Sequence, residues 1–321
     1  MIKVQNLTKS FGPKIAVNNI SFSVERGEVL GFLGPNGAGK STSMRMITGF
    51  IPPNSGTITV GGFDITQDPI EAKKLMGYLP ENAPAYTDMT VAGFLGFTAE
   101  LRGMRGAEKI RAVNRAADLC FLNTVLHQSV DTLSKGYRHR TCFAQSLIHD
   151  PDVLILDEPT DGLDPNQKHE VRTLIRKMGE KKAIVFSTHI LEEVEAACTR
   201  AIIIDRGQIV ANGTPAELKN RSDFAGAVIV KLTGAPLAAV QQKLSGIAAA
   251  RKSVVLNETD AVITIRVYPK PDTRNGDLAS SIAAAIREEN WKIQELHTEE
   301  GRLDEVFRSI TLPDTTQQER S

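Results

Sequence analysis

Gly34-Pro35-Asn36-Gly37-Ala38-Gly39-Lys40-Ser41-Thr42 is the stretch that decides the fold. It follows the apolar run Val29–Leu33 and precedes helix-like residues 44–47, so G-x-x-x-x-G-K-[ST] falls in the strand, loop, helix context that a phosphate-binding loop requires. Glycines let the backbone turn its N–H groups inward around phosphate, where a Cβ would block the approach and forbid positive φ. The following helix N-terminus adds partial positive charge. Lys40 offers a point charge to β- and γ-phosphates, and the Ser41 hydroxyl is placed to ligate Mg²⁺. The loop predicts nucleotide binding and leaves the base open.

A second run completes the chemistry. In Val153-Leu154-Ile155-Leu156-Asp157-Glu158, four apolar residues bury a strand, so Asp157 emerges at its C-terminal edge, where ligands of α/β sheets sit. Asp157 is expected to hold Mg²⁺ through water. Glu158, one residue on, is the natural general base for a water attacking the γ-phosphate. Without the phosphate loop, two acids before Pro159 would read as the start of a turn.

Working outward, Ile2, Val4 and Leu7 alternate, as do Ile20, Phe22 and Val24, with a turn at residues 25–28, which predicts a small antiparallel sheet. The apolar runs 153–156, 183–186 and 201–204 alternate with helix-like stretches, the pattern of a parallel sheet with crossover helices. Between about 88 and 150 the spacing turns helical (Val91, Phe94, Leu95; Ile110, Val113, Ala117), so a helical subdomain is inserted into the α/β core. After about 220 the element order is βαββαβ, as in a ferredoxin-like split unit. The expected domains are 1–219, an accessory α+β domain at 220–312, and a frayed tail at 313–321.

Lys+Arg and Asp+Glu both number 38, giving formal net charge zero, so no global field draws the chain to nucleic acid or an acidic membrane. Cys120, Cys142 and Cys198 fall in no metal or disulfide spacing, which suits a reducing cytosol. The start of the chain lacks the apolar core of a secretory signal, and nowhere do about 18 apolar residues run together. The chain is expected not to span a bilayer.

Leu133-Ser134-Lys135-Gly136-Tyr137-Arg138, just upstream of the acidic pair, resembles the LSGGQ signature of ATP-binding cassette (ABC) ATPases. Asp161-Gly162-Leu163-Asp164 resembles their D-loop, and Ser187-Thr188-His189 their switch histidine, with every motif in family order over residues 1 to about 215. The resemblance implies an ATP-hydrolysing subunit of a transporter. Two copies would face head-to-tail, each ATP gripped between one copy's phosphate loop and the other's Ser134, Lys135 and Gly136. Asp164 would link the two sites, and His189 would hold the γ-phosphate and water beside Glu158. Phe11 matches the aromatic that stacks on adenine, and Val17 is placed at the nucleotide with it. The absence of an NKxD motif favours ATP. Separate transmembrane permease subunits would bind the pair at the cytoplasmic face of the plasma membrane, with residues 89–97 as docking surface or ordinary core helix. Nucleic acid is not an expected partner.

Two departures stand out. Glu81, in Gly77-Tyr78-Leu79-Pro80-Glu81, occupies the place of the family's Q-loop glutamine; it can approach Mg²⁺ or the water but cannot donate as an amide does. Lys135 puts an extra cation in the signature, directed either to the γ-phosphate or to solvent. With the closing Leu303-Asp304-Glu305-Val306-Phe307, these features resemble an exporter branch that includes gliding-motility, drug-resistance and nitrous-oxide-reductase maturation (NosF-like) proteins. A soluble ABC ATPase and a nucleotide-sensing regulator remain the alternatives.

Overall fold

The computed structural model describes residues 1–82, 84–259, 262–271, 273 and 276–311. They form two compact units that divide between Pro215 and Ala216; the expected tail at 313–321 lies outside the described residues.

The first unit opens with β1 (Ile2–Phe11), β2 (Lys14–Val24), β3 (Val29–Leu33), α1 (Lys40–Ile47), β4 (Ser55–Val60), β5 (Phe63–Asp64), α2 (Pro69–Lys74) and β6 (Met76–Leu79). Helices α3 (Val91–Leu101), α4 (Gly106–Leu119) and α5 (Lys135–Leu147) follow, then β7 (Val153–Asp157), α6 (Pro165–Gly179), β8 (Ala183–Thr188), α7 (Leu191–Ala197), β9 (Arg200–Asp205) and β10 (Gln208–Gly213). Strands β2-β1-β4-β5 make an antiparallel sheet whose register, Ile2 opposite Val24 and Val4 opposite Phe22, collects the alternating apolar residues on one face. A six-stranded sheet runs β10-β9-β3-β8-β7-β6, parallel except for the edge strand β10. Its central strands β3, β7 and β8 are buried at every residue, which is why they read as unbroken apolar runs. The pairings Leu33 with Thr188 and Asp157 with Ser187 bring the C-terminal ends of these three strands side by side.

Helices α3, α4 and α5 bury Leu95, Ala116 and Phe143 in one core that continues to Leu156 and Phe186. Removing a ring such as Phe143 would cost about 3–5 kcal/mol. Val91 and Leu95 face this core, and the buried Phe94 packs with Phe97 against Tyr86. Ile110, expected in the buried stripe, is exposed near the start of α4.

The second unit holds α8 (Pro215–Lys219), which begins at the last residue of the first, then β11 (Val228–Thr233), α9 (Leu237–Ser245), β12 (Ala250–Glu258), β13 (Ile263–Pro269), α10 (Asp277–Glu288), β14 (Lys292–Thr298) and α11 (Leu303–Ile310). The sheet order β12-β13-β11-β14 is antiparallel throughout, the arrangement of a split βαβ unit. Val228, Val230, Leu232, Ile263, Ile265 and Val267 alternate onto the face covered by Val240, Leu244, Ile282 and Ile286. Arg266 instead pairs with the buried Glu299 and lies 4.5 Å from the Phe224 ring centroid.

Candidate functional site

Where β3 ends, the chain turns through residues 34–39 and enters α1 at Lys40. Gly39 has φ 111°, and a Cβ there would lie 2.5 Å from the Ala16 carbonyl oxygen, so the turn has room for glycine alone. Lys40 is 6% exposed and folds back, its Nζ donating to the carbonyls of Gly34 (2.7 Å) and Pro35 (3.2 Å). Burial pulls its pKa below the ordinary lysine value, against the opposing pull of Glu158, Asp157 and Glu81. The loop borders a cavity of about 370 Å³ lined by Asn36, Gly37, Gly39, Lys40, Ser41 and Thr42. Glu158, Glu81, Phe11, Lys14 and Ala16 complete its wall.

Strands β7 and β8 supply the acids and their supports. Asp157 is 1% exposed; its Oδ1 accepts from Ser41 Oγ (3.2 Å) and Ser187 Oγ (2.5 Å). Its Oδ2 is buried and has no hydrogen-bond partner among the described residues. A buried carboxylate oxygen left open is costly, so this one is available to a cation. Glu158 adopts φ 51°, a left-handed conformation uncommon for a residue with a side chain, and its N–H donates to Ser187 Oγ at 3.0 Å. Its carboxylate accepts from His189 Nδ1 at 3.0 Å and stands 4.0 Å from Lys40 Nζ. Burial raises the Glu158 pKa, while His189 and Lys40 oppose the rise. The arrangement can hold phosphate oxygens, a divalent cation and a water beside a carboxylate base.

The remaining expected residues divide. Phe11 is 52% exposed at the cavity, with Lys9 Nζ 5.3 Å from its ring centroid. Val17 is fully buried in the core, and Ala16 lines the cavity in its place. The cavity wall includes Glu81 but none of Ser134, Lys135, Gly136 or Asp164. Ser134 caps α5 by accepting from Tyr137 N (3.3 Å), and Asp164 caps α6 by accepting from Gln167 N (2.9 Å). Lys135 lies outside the cavity wall with its side chain largely exposed; its Nζ meets Asp161 Oδ2 at 3.0 Å, and its stem fills the space where a Cβ on Gly162 would sit. Tyr137 packs on the helical core. The His139 ring is buried without a hydrogen-bond partner among the described residues, and burial lowers its pKa.

Sequence reasoning passed over Lys14, Ala16 and the bridging role of Ser187. Lys14 lies three residues after Phe11 across a tight turn, which would have pointed to it. Ser187 has no local signal, because its contact with Asp157 is made by strand pairing.

The family model described as "ABC transporter" matches residues 17–161. The chain is 30% identical to the linearmycin resistance ATP-binding protein of Bacillus subtilis over 312 residues, covering 97% of this chain and 98% of that one. It is 35% identical to the Nod factor export ATP-binding protein I of Burkholderia orbicola, over 77% of this chain and 81% of the relative. Among solved structures it is similar to the ATP-binding subunit of an ABC transporter (TM-score 0.64, 27% identity, 69% of this chain and 92% of that one). It also shares its fold with a dimeric ATP-binding cassette in a post-hydrolysis state bound to ADP and Pi (TM-score 0.62, 22% identity, 67% and 99%).

Proposed function

The chain belongs to the ATP-binding proteins of ABC transporters, and we propose that it powers an exporter by closing and reopening head-to-tail pairs of copies on separate transmembrane permease subunits. It is an ATP-binding subunit and an ATPase. The export direction draws on the relatives named for linearmycin resistance and Nod factor export. Among the described residues no helix is long and apolar enough to cross a membrane, so the place at the cytoplasmic face of the plasma membrane would come through the permease.

In this reading the loop 34–42 wraps the phosphates with its N–H groups, Lys40 exchanges its loop carbonyls for phosphate oxygens, and Phe11 stacks on adenine. The Asp157 carboxylate, with Oδ1 bonded by the Ser41 hydroxyl and Oδ2 open, fits a hard divalent cation, and Ser41 and Glu81 share the cavity wall. Magnesium, when bound, would neutralise charge on the phosphate oxygens. Glu158 takes the proton from the attacking water, and His189 orients the Glu158 carboxylate through its Nδ1–H. Ser134, Lys135, Gly136 and Asp164 serve the partner copy's nucleotide. The Lys135 contact with Asp161 then makes the signature and the D-loop one surface offered to that partner.

One observation carries the reading: at the ends of three adjacent parallel strands Lys40, Ser41 and Glu158 line one cavity of about 370 Å³, with Asp157 bonded to Ser41 and His189 to Glu158 behind them. Mixing Lys40→Ala with Ser134→Arg copies, each inactive alone, can leave no more than one composite site per dimer. A wild-type ATPase rate in the mixture would refute head-to-tail sharing. The permease claim predicts that an integral membrane protein copurifies in detergent, and a clean pull-down would favour a soluble ATPase.

A further inference from the structure

His189 is held less firmly than its role demands. Its side chain is 54% exposed, and the contact that fixes the ring is Glu158 Oε2 at 3.0 Å. A ring so open to solvent has little packing to set its rotamer, so its place comes from the backbone on which it is mounted.

That backbone is tied down by a residue outside every motif read from the sequence. Glu193, in the first turn of α7, is 1% exposed. One of its carboxylate oxygens accepts from Thr160 Oγ1, and the other accepts from Thr188 Oγ1 at 2.6 Å. Thr188 Oγ1 in turn accepts from the Ile190 N–H at 3.0 Å, closing a turn around His189. Thr160 and Thr188 are buried as well. Thr160 stands two residues after Glu158, immediately before Asp161, and Thr188 immediately precedes His189.

A buried carboxylate loses hydration that a leucine at the same place would not have to give up. Two hydroxyl donors and the positive end of α7 offset that loss, and what they hold in common is the pair of segments carrying Glu158 and His189. Ser187 makes a second bridge between the same strand ends, through Asp157 Oδ1 and the Glu158 N–H.

We propose that Glu193 is a positioning residue for hydrolysis: through Thr160 and Thr188 it fixes the His189 backbone relative to Glu158 and joins that geometry to the segment 161–164. The proposal rests on the roles given above to Glu158 and His189. It follows that a partner copy pressing on residues 161–164 moves Thr160, and Glu193 carries that movement to His189.

The test uses the full chain and the near-isosteric variants Thr188→Val and Thr160→Val, with Glu193→Gln against Glu193→Leu. Steady-state ATPase kinetics, equilibrium binding of a fluorescent ATP analogue and thermal melting are read on each. Thr188→Val is expected to lower kcat by about ten- to a hundredfold, the scale of a displacement of about 1 Å in the reacting groups, with nucleotide affinity changed less than about twofold. Glu193→Gln, which keeps the shape and one acceptor, should retain more activity than Glu193→Leu. In a His189→Ala background, Thr188→Val should cause little further loss, because the group it positions is gone. A Thr188→Val protein that melts earlier but keeps wild-type kcat would overturn the proposal, as would full multiplication of the two losses in the double variant. If His189→Ala alone hydrolyses ATP at the wild-type rate, the reading of the Glu158 and His189 pair fails first and the tether falls with it.

Discussion

The two units treat buried polar groups in opposite ways. The second unit buries Ser222 and Glu299, and each is closed by neighbours: Ser222 by Glu305, Glu299 by Arg266 and Arg302. The first unit buries Lys40, Asp157, Thr160, Ser187, Thr188 and Glu193 near the C-terminal ends of β3, β7 and β8 and leaves Asp157 Oδ2 open. A closed network repays its desolvation within the fold, whereas an open oxygen costs stability until a ligand arrives. The contrast separates a unit whose polar core is complete from one whose polar core awaits a partner.

The strongest way to break that contrast is Glu158→Gln. Losing the base should lower kcat by about 10²–10⁴-fold with ATP binding retained, as read by single-turnover hydrolysis and equilibrium binding. Hydrolysis near the wild-type rate would return the first unit's acids to a structural role. Next comes Ile265→Ala in the second unit's core, expected to lose about 2–5 kcal/mol of that unit's stability by hydrogen exchange while leaving kcat and ATP affinity unchanged. A collapse of ATP affinity in that variant would mean the units do not stand apart energetically.

Ser134→Ala sharpens the comparison within the first unit. As a helix cap alone Ser134 contributes about 1 kcal/mol of stability, but as a contact to the partner's nucleotide its loss should reduce ATPase activity further than the melting shift accounts for. Equal, small losses in both would leave it a cap. Lys135→Gln is the smallest effect. Both members of the Lys135 and Asp161 pair are more than half exposed, so stability should move by about 1 kcal/mol or less. Lys135 holds the Asp161 carboxyl below its ordinary pKa. The pair therefore stabilises above the unfolded aspartate pKa and loses its effect as pH falls through the depressed value. Removing Lys135 should raise the Asp161 pKa in an NMR titration, and an unmoved titration would place Lys135 elsewhere.

Legibility followed chemistry. The loop 34–42 and the pair Asp157 and Glu158 could be read directly, because phosphate, cation and base require fixed residue types at fixed spacing beside an apolar strand. In the second unit the element order was readable from alternation, while the pairing β12-β13-β11-β14 was not, since order alone does not choose neighbours. Ile110 fits a helical stripe by spacing yet lies exposed, because periodicity marks a face without saying how far its cover extends. For Lys135 the sequence left phosphate or solvent as targets; its side chain is exposed, and the fold adds a contact with Asp161, 26 residues away.

By itself the sequence determined that a nucleotide is gripped, where the acids stand, and that an α+β unit follows an α/β one, because these depend on contacts among neighbouring residues. Tertiary structure decided which groups finish the site. Ser187 reaches Asp157 because β8 pairs with β7, and Glu193 reaches Thr160 across 33 residues because α7 packs back on the strand ends. Such contacts are set by strand register and helix packing, which no local run of residues encodes.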